Sequence, residues 1–176
     1  FWLTPSSCEI YRFREGADGA HVEVTRFDTG LREICEVEGL AWLAAEESLI
    51  LACKRNHARA MRDRVAIYIW AFSDDAELWL NLPEADLAQA AGVRRFRPSS
   101  LDVDARSGRV MLLSASDAAV GGLSADGRLM SARELEGEHV QPEGVAVLPS
   151  GALVVADEAG ERVNSGMLSV YPRVGQ

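Results

Sequence analysis

The amino-acid sequence predicts an all-β fold made of β-propeller blades with four antiparallel strands each, and about three and a half blades are visible. The first observation is a segment that occurs three times, at 37–42, 98–103 and 142–147. A polar turn and a second apolar run follow each copy. A repeat of about 40–50 residues made of short strands is typical of a propeller blade. The three copies therefore mark the innermost strands of three successive blades.

The second observation is that the turns repeat in the same phase as the strands. We name the strands of a blade a to d, from the centre of the disc to its rim. The turns between strands c and d are at 16–19, 73–75 and 124–127, and those between strands a and b are at 45–47, 105–108 and 149–151. Asp-Gly pairs such as Asp126-Gly127 supply the positive φ angles that a tight hairpin needs.

Alternating apolar residues and turn signals predict the strands in chain order. A partial blade at 1–34 has strands c and d at 9–14 and 22–27, with a hint of an earlier strand at 1–4. The blade at 35–92 has strands at 39–43, 48–53, 65–72 and 78–82. The blade at 93–138 has strands at 100–104, 110–114, 118–124 and 130–135. The blade at 139–176 has strands a to c at 144–148, 152–157 and 166–171.

A short helix is predicted at 83–91, between strand d of one blade and strand a of the next. Pro83 in the first turn, acidic residues early in the segment and Gly92 at its end are typical helix boundaries. Closed propellers have about 4–8 blades, because a partial ring leaves strand edges exposed. We therefore expect this single domain to be the C-terminal part of a larger, six-bladed propeller.

The composition limits the classes of function. The formal net charge of −9 argues against nucleic-acid binding, because a phosphate backbone would be repelled. No apolar run approaches the ~20 residues that a membrane-spanning helix needs. The three cysteines, Cys8, Cys35 and Cys53, have no zinc-like spacing. We expect them to be buried small apolar residues, with one disulfide as the alternative.

Five short segments carry a family resemblance. They are 37–41, 51–54, 96–99, 141–145 and 154–158. In this order and spacing they resemble the SdiA-regulated family of bacterial β-propellers, over nearly the whole chain. The resemblance implies the propeller fold, an architecture similar to phytase-like, calcium-bearing propellers, and a location in the periplasm, at the cell envelope or outside the cell. The sequence departs from the family in lacking the N-terminal blades and in a longer, basic loop after Lys54.

The candidate site residues lie where strands a begin and strands b end, because propeller topology brings these points together on one face near the central channel. The starts of the a strands contribute Glu38, Ser99 and Glu143. The ends of the b strands contribute Lys54, Arg55, Asp157 and Glu158. We expect Ser99 and the four residues from the b strands to bind a ligand.

Glu38 and Glu143 are the candidate metal ligands. Two converging carboxylates repel each other unless a hard cation such as Ca²⁺, a buried proton, or a pair with Lys54 or Arg55 neutralises them. Ca²⁺ takes about 6–8 oxygen ligands, so backbone carbonyls and waters would complete its shell. The alternative is that each glutamate accepts backbone hydrogen bonds and holds its blade to the next.

The segment 54–64 reverses the acidic character of the chain, since it holds five Lys and Arg side chains. It can recognise phosphate or carboxylate groups, contact a partner or a membrane surface, or be a solvated loop. The histidines have no ligand spacing and are expected to be structural or exposed: His21, His57 and His139. Three tryptophans are expected to fill spaces between blades: Trp42, Trp70 and Trp79.

Two functions remain open at this point. The first is a non-catalytic propeller that binds an unidentified small molecule or protein on its loop face, the face where the a strands begin and the b strands end. Ca²⁺ is the candidate cofactor. The alternative is a metal-dependent phosphoesterase or esterase of the phytase-like type, in which the basic loop holds an anionic substrate. No nucleophile elbow, phosphate-binding loop or zinc-protease motif is present, and the catalytic residues of the second function are not identified.

Overall fold

The computed structural model describes residues 1–72, 74–159 and 165–172. Within these residues the strands form four antiparallel sheets, and the strands of each sheet lie side by side in chain order. Meandering sheets of this kind are the blades of a β-propeller. The predicted fold class is confirmed.

Each sheet has three or four strands in the described part of the chain. The first contains β1 (Trp2–Leu3), β2 (Glu9–Phe13) and β3 (Val24–Asp28). The second contains β4 (Cys35–Leu43), β5 (Ser48–Asn56), β6 (Arg64–Trp70) and β7 (Glu77–Pro83). The third contains β8 (Pro98–Val103), β9 (Val110–Ser114), β10 (Ala119–Leu123) and β11 (Leu129–Glu134). The fourth contains β12 (Pro142–Val147), β13 (Leu153–Asp157) and β14 (Met167–Tyr171).

The predicted strands agree with the observed ones to within a few residues, except at the start of the second sheet. There β4 and β5 continue to pair as far as Cys35 and Asn56, beyond a bulge at Val37. Burial alternates along the whole of β4, from Cys35 to Leu43, so the strand pattern also covers the residues that the prediction left out.

An apolar cluster fills each junction between neighbouring sheets. The cluster between the first and second sheets includes Ile10, Leu51 and Trp70. The cluster between the second and third includes Ile67, Phe96 and Leu112. The cluster between the third and fourth includes Leu113, Val120 and Val155. Burial of each such side chain contributes about 1.5–3 kcal/mol, so the packing of sheet on sheet holds the fold together.

The innermost strands of the third and fourth sheets are joined by polar side chains. Three side chains of β8 bind the backbone of β12, although the two strands belong to different sheets. Ser99 Oγ donates to the Pro142 carbonyl at 3.0 Å, while Ser100 Oγ and Asp102 Oδ2 accept from the Val145 and Val147 N–H groups at 3.2 and 2.7 Å. These bonds fix the position of one blade against the next.

β4 approaches β8 so closely that only glycine fits at position 39. A Cβ on Gly39 would lie 2.8 Å from Leu101 Cδ2 and 3.2 Å from the backbone nitrogen of Leu101. It would also lie 3.0 Å from the Cβ of Ala52 on the neighbouring strand. A side-chain rotation cannot relieve the contact with a backbone atom, so this glycine sets the spacing between the second and third sheets.

The helix predicted at 83–91 is present as α1 (Glu84–Ala91). Gly92 ends it in the left-handed region, at a φ of 73°, and its N–H donates to the Ala88 and Gln89 carbonyls. Leu87 of the helix covers β10, every residue of which is buried. A Cβ on Gly121 of that strand would lie 3.2 Å from both Leu87 and Phe96.

The cysteines differ in part from the expectation. Cys8 is buried, and burial raises the pKa of its thiol. Cys35 and Cys53 instead form a disulfide between β4 and β5, with their Cα atoms 5.8 Å apart. The bond lies where the pairing of β4 with β5 is irregular, because Val37 pairs with Cys53 and the ladder is interrupted on both sides of that pair.

The tryptophans also differ from the expectation that all three fill spaces between blades. Trp70 is 2% exposed and does so, and Trp79 packs against the cluster between the second and third sheets. Trp42 is 46% exposed, so the expectation is wrong for this residue. No helix in the described part of the chain has the length and apolar character needed to cross a membrane.

Replacing Gly39 with alanine should destabilise the protein by about 1–3 kcal/mol, because the added methyl group overlaps the backbone of Leu101. Urea unfolding of the variant and of the parent protein measures the difference. Gly122→Ala is the matched control, since its Cβ would meet only side-chain atoms, of Ser131 and Met111. Equal losses in the two variants would contradict the argument.

Candidate functional site

One edge of the sheets carries the predicted site residues. The strands β4, β8 and β12 begin at this edge, and their partners β5, β9 and β13 end there. The pairs Cys35–Asn56, Pro98–Ser114 and Pro142–Asp157 define it. We call it the loop face, and the connections β5–β6 and β7–β8 lie on the same side.

Lys54 and Glu38 form an ion pair at the loop face. Lys54 Nζ donates to Glu38 Oε2 at 2.7 Å, and both side chains are partly buried. Desolvation is the largest influence on the pKa of Lys54 and lowers it, but the bond to Glu38 and the charges of Glu38, Glu143 and Glu36 outweigh it and raise that pKa. Lys54 is therefore the cation that neutralises Glu38, as one of the sequence alternatives stated.

Glu143 belongs to the same charged group. Burial raises the pKa of Glu143, and the charges of Glu38 and Glu158 add to this effect. The Gln141 amide, which donates to Glu143 Oε1 at 3.3 Å, and the charge of Lys54 oppose it. The fold thus brings the two predicted metal ligands near a single lysine.

The calcium expectation stays a prediction, and the described residues do not form a cage for it. Among them, no three His, Cys, Asp or Glu side chains are placed to hold one metal ion. Glu38 already has an ammonium partner, and Ca²⁺ would need about 6–8 oxygen atoms in its place. The carboxylates and lysine present fit an ion-pair group better than a calcium site.

The other predicted ligand-binding residues are placed differently from one another. Arg55 is exposed and lies 3.7 Å from a carboxylate oxygen of Glu36. Ser99 is 2% exposed and holds β8 to β12, as described above. Asp157 is buried, whereas Glu158 is exposed and acts on Glu143 through its charge. The ligand-binding assignment of these residues stays a prediction.

Asp157 belongs to a polar cluster that the sequence did not predict. Asp157 Oδ2 lies 2.7 Å from His139 Nδ1, and Asp157 Oδ1 accepts from the Gln141 N–H at 3.2 Å. His139 Nε2 lies 2.5 Å from the Tyr171 hydroxyl, which donates to the Glu136 carbonyl at 2.7 Å. The His139 side chain is 1% exposed. His139 and Tyr171 are 32 residues apart, and no motif in the sequence connects them.

Both ring nitrogens of His139 have a hydrogen-bonding partner in this cluster. Nδ1 meets the Asp157 carboxyl group and Nε2 meets the Tyr171 hydroxyl. The Tyr171 hydroxyl also donates to the Glu136 carbonyl, so the three side chains form one continuous chain of bonds. This buried position agrees with the expectation of a structural histidine.

A cleft lined mainly by arginines lies between the β5–β6 and β7–β8 connections on the loop face. It has a volume of about 490 Å³. The lining residues are Arg55, Asn56, His57, Arg62, Asp63, Arg95 and Arg97. We call it the arginine cleft. It takes in Arg55 and part of the basic segment that the sequence singled out, and adds Arg95 and Arg97 from the next connection.

Glu143→Gln should stabilise the protein more at about pH 7 than at about pH 4, because a raised folded-state pKa makes the stability contribution of Glu143 fall as the pH rises through that pKa. The difference in Tm between the variant and the parent should therefore grow with pH. Glu134→Gln, at an exposed position on β11, is the control. A difference in Tm that does not change with pH would contradict a raised pKa for Glu143 in the folded protein.

Tyr171→Phe should cost about 1–3 kcal/mol of stability, because it leaves the buried Nε2 of His139 without its hydrogen-bonding partner and removes the bond to the Glu136 carbonyl. Chemical unfolding measures this cost. Tyr11→Phe is the matched control, since the Tyr11 hydroxyl donates to the Glu9 carboxylate and to no buried group among the described residues. A loss for Tyr171→Phe no larger than for the control would show that the cluster does not stabilise the attachment of the β11–β12 connection to the fourth sheet.

Comparison with known proteins supports the fold. No curated protein matches the chain in sequence. A chain of a nidogen/laminin complex matches with a TM-score of 0.59 and 13% identity, over 99% of this chain and 62% of its own. Luciferin-regenerating enzyme matches with a TM-score of 0.56 and 13% identity, over 99% of this chain and 61% of its own. Virginiamycin B lyase from Staphylococcus aureus matches with a TM-score of 0.54 and 11% identity, over 99% of this chain and 52% of its own.

These similarities show the fold alone, because the identities are low. The chain spans between 52% and 62% of the length of these solved proteins. The family is shown instead by a match of the sequence to a family model. A model of the SdiA-regulated proteins matches residues 14–163, which is most of the chain. The protein therefore belongs to the SdiA-regulated family.

Proposed function

We propose that this propeller is a binding protein whose ligand is a small anion-bearing molecule, held in the arginine cleft on the loop face. The observation that carries the proposal is the concentration of positive charge there. Four arginines and one aspartate line the cleft, in a chain with a formal net charge of −9. Guanidinium groups bind phosphate and carboxylate through paired, charge-assisted hydrogen bonds.

The charges in the cleft are available to a ligand. Arg62 and Arg95 are exposed and have no ion pair among the described residues. Arg55 and Arg97 lie 3.7 and 3.9 Å from the carboxylates of Glu36 and Glu84, which are long distances for an ion pair. An incoming anion would therefore compete with weak partners at Arg55 and Arg97, and with no ion pair from the described part of the chain at Arg62 and Arg95.

The first wall of the cleft is held by a buried residue. The Asn56 amide donates to the Met61 and Arg64 carbonyls at 2.9 and 2.8 Å and so fixes the β5–β6 connection.

The second wall is fixed by β9 and the turn after it. The Arg95 N–H donates to Asp117 Oδ2 at 2.8 Å, and the Arg97 N–H donates to Ser114 Oγ at 3.0 Å. Walls that are fixed before binding reduce the entropy lost when a ligand is ordered.

The disulfide supports the proposed location. Disulfides persist in oxidising compartments and are rare in the bacterial cytoplasm. The Cys35–Cys53 bond is buried beside the loop face, and Cys53 directly precedes Lys54 in the sequence. We therefore propose that the protein functions in the periplasm, at the cell envelope or outside the cell.

Calorimetric titration with inorganic phosphate at low ionic strength tests the binding proposal. We expect a weak but saturable affinity, because phosphate represents only the anionic part of the ligand. The double variant Arg62→Gln, Arg95→Gln should weaken it by about tenfold or more, since it removes the two unpaired guanidinium groups. Both positions are exposed, so folding should be unaffected.

The matched control is Arg32→Gln, at an exposed arginine outside the cleft. It should bind phosphate as the parent protein does. Sodium chloride at equal ionic strength should produce no saturable signal. Unchanged affinity in the double variant, or an equal loss in the control, would reject the arginine cleft as the binding site.

A further inference from the structure

A second recess lies at the opposite edge of the sheets from the loop face. Glu38 is at the loop-face end of β4, and Trp42 is near the other end of the same strand. Phe72 is two residues beyond the end of β6. This strand runs parallel to β4, because both are antiparallel to β5. The recess has a volume of about 280 Å³ and is lined by Trp2, Arg12, Trp42 and Phe72. We call it the aromatic recess.

The walls of the aromatic recess are the faces and edges of three rings. The ring centroids of Trp2 and Phe72 are 5.0 Å apart in a stacked arrangement, and those of Trp42 and Phe72 are 6.1 Å apart. Phe72 also meets the buried Trp70 edge to face at 5.0 Å. Trp42 is 46% exposed, so one side of the recess is open to water.

The backbone at Phe72 is strained in a way that places its ring in the recess. Its φ of 73° lies in the left-handed region, where a bulky residue is rare. Strained residues of this kind occur more often at functional sites than elsewhere, because the surrounding structure must hold them in place.

Arg12 supplies a cation at the rim. It lies directly opposite Trp2 across β1 and β2, with its guanidinium carbon 5.6 Å from the centroid of the Trp2 ring. The same group lies 5.4 Å from the centroid of Phe27. It has no carboxylate partner among the described residues. A guanidinium stacked on aromatic rings keeps its N–H donors free to bind an anion.

We propose that the aromatic recess is a second binding site, for a sugar ring that carries a carboxylate. A ligand in this open recess must present an apolar face to the rings and a polar face to water. The C–H face and the hydroxyl edge of a pyranose meet both conditions. The free guanidinium of Arg12 then favours an acidic sugar over a neutral one.

The test follows the indole N–H signals of the four tryptophans by NMR during titration with sodium glucuronate. The signals of Trp2 and Trp42 should shift with a saturable, millimolar affinity. The signal of Trp79, which lies on β7 and packs against the apolar cluster between the second and third sheets, should not shift and so reports that the fold is intact. Glucose should bind about tenfold more weakly than glucuronate, and acetate should give no shift.

Two variants separate the contribution of the Arg12 charge to binding from that of the Trp42 ring. Arg12→Gln should abolish the preference for glucuronate over glucose, and Trp42→Ala should weaken the binding of both sugars; Arg32→Gln is the matched arginine control. Absence of a shift with glucuronate, or equal binding by Arg12→Gln and the parent protein, would overturn the proposal. Tighter binding of benzoate than of glucuronate would also overturn it, because the recess would then select an aromatic acid.

Discussion

The packing of one sheet on the next is the constraint on which the rest of the structure depends. Each junction between neighbouring sheets holds an apolar cluster, and the inner strands touch where Gly39 meets Leu101. This packing occupies the faces of β4 and β5, so their Lys, Arg and Glu side chains lie near the strand ends, next to the connections. The ion pair of Lys54 with Glu38 and the arginine cleft both lie there for this reason.

The fold was predictable because strands, turns and the helix each leave a local pattern of residue types in the sequence. Alternation and Gly-containing turns located strands such as β9 to the residue, and Pro83 and Gly92 marked the ends of the helix. The sharing of one face by Glu38, Lys54 and Glu143 followed from propeller topology alone. The sequence also named Lys54 among the groups that could neutralise a glutamate, because it could list the charges near the strand ends.

The remaining features depend on contacts that no local pattern contains. The Cys35–Cys53 bond lies where the pairing of β4 with β5 is irregular on both sides of Val37, and no residue pattern marks that irregularity. The pairing of His139 with Asp157 and with Tyr171 joins residues from three separate stretches of chain. The exposure of Trp42 depends on what the neighbouring sheet leaves uncovered, so a strand pattern could not distinguish it from the buried Trp70.

The close fit of Gly121 beneath Leu87 and Phe96 has a consequence for how the sequence can vary among relatives. A side chain at position 121 requires space that only smaller residues at positions 87 or 96 would provide. Substitutions at these three positions should therefore occur together during evolution, although position 121 lies more than 20 residues along the chain from both. The connection that carries Arg95 and Arg97 also begins at this helix, so repacking beneath it would move the cleft as well.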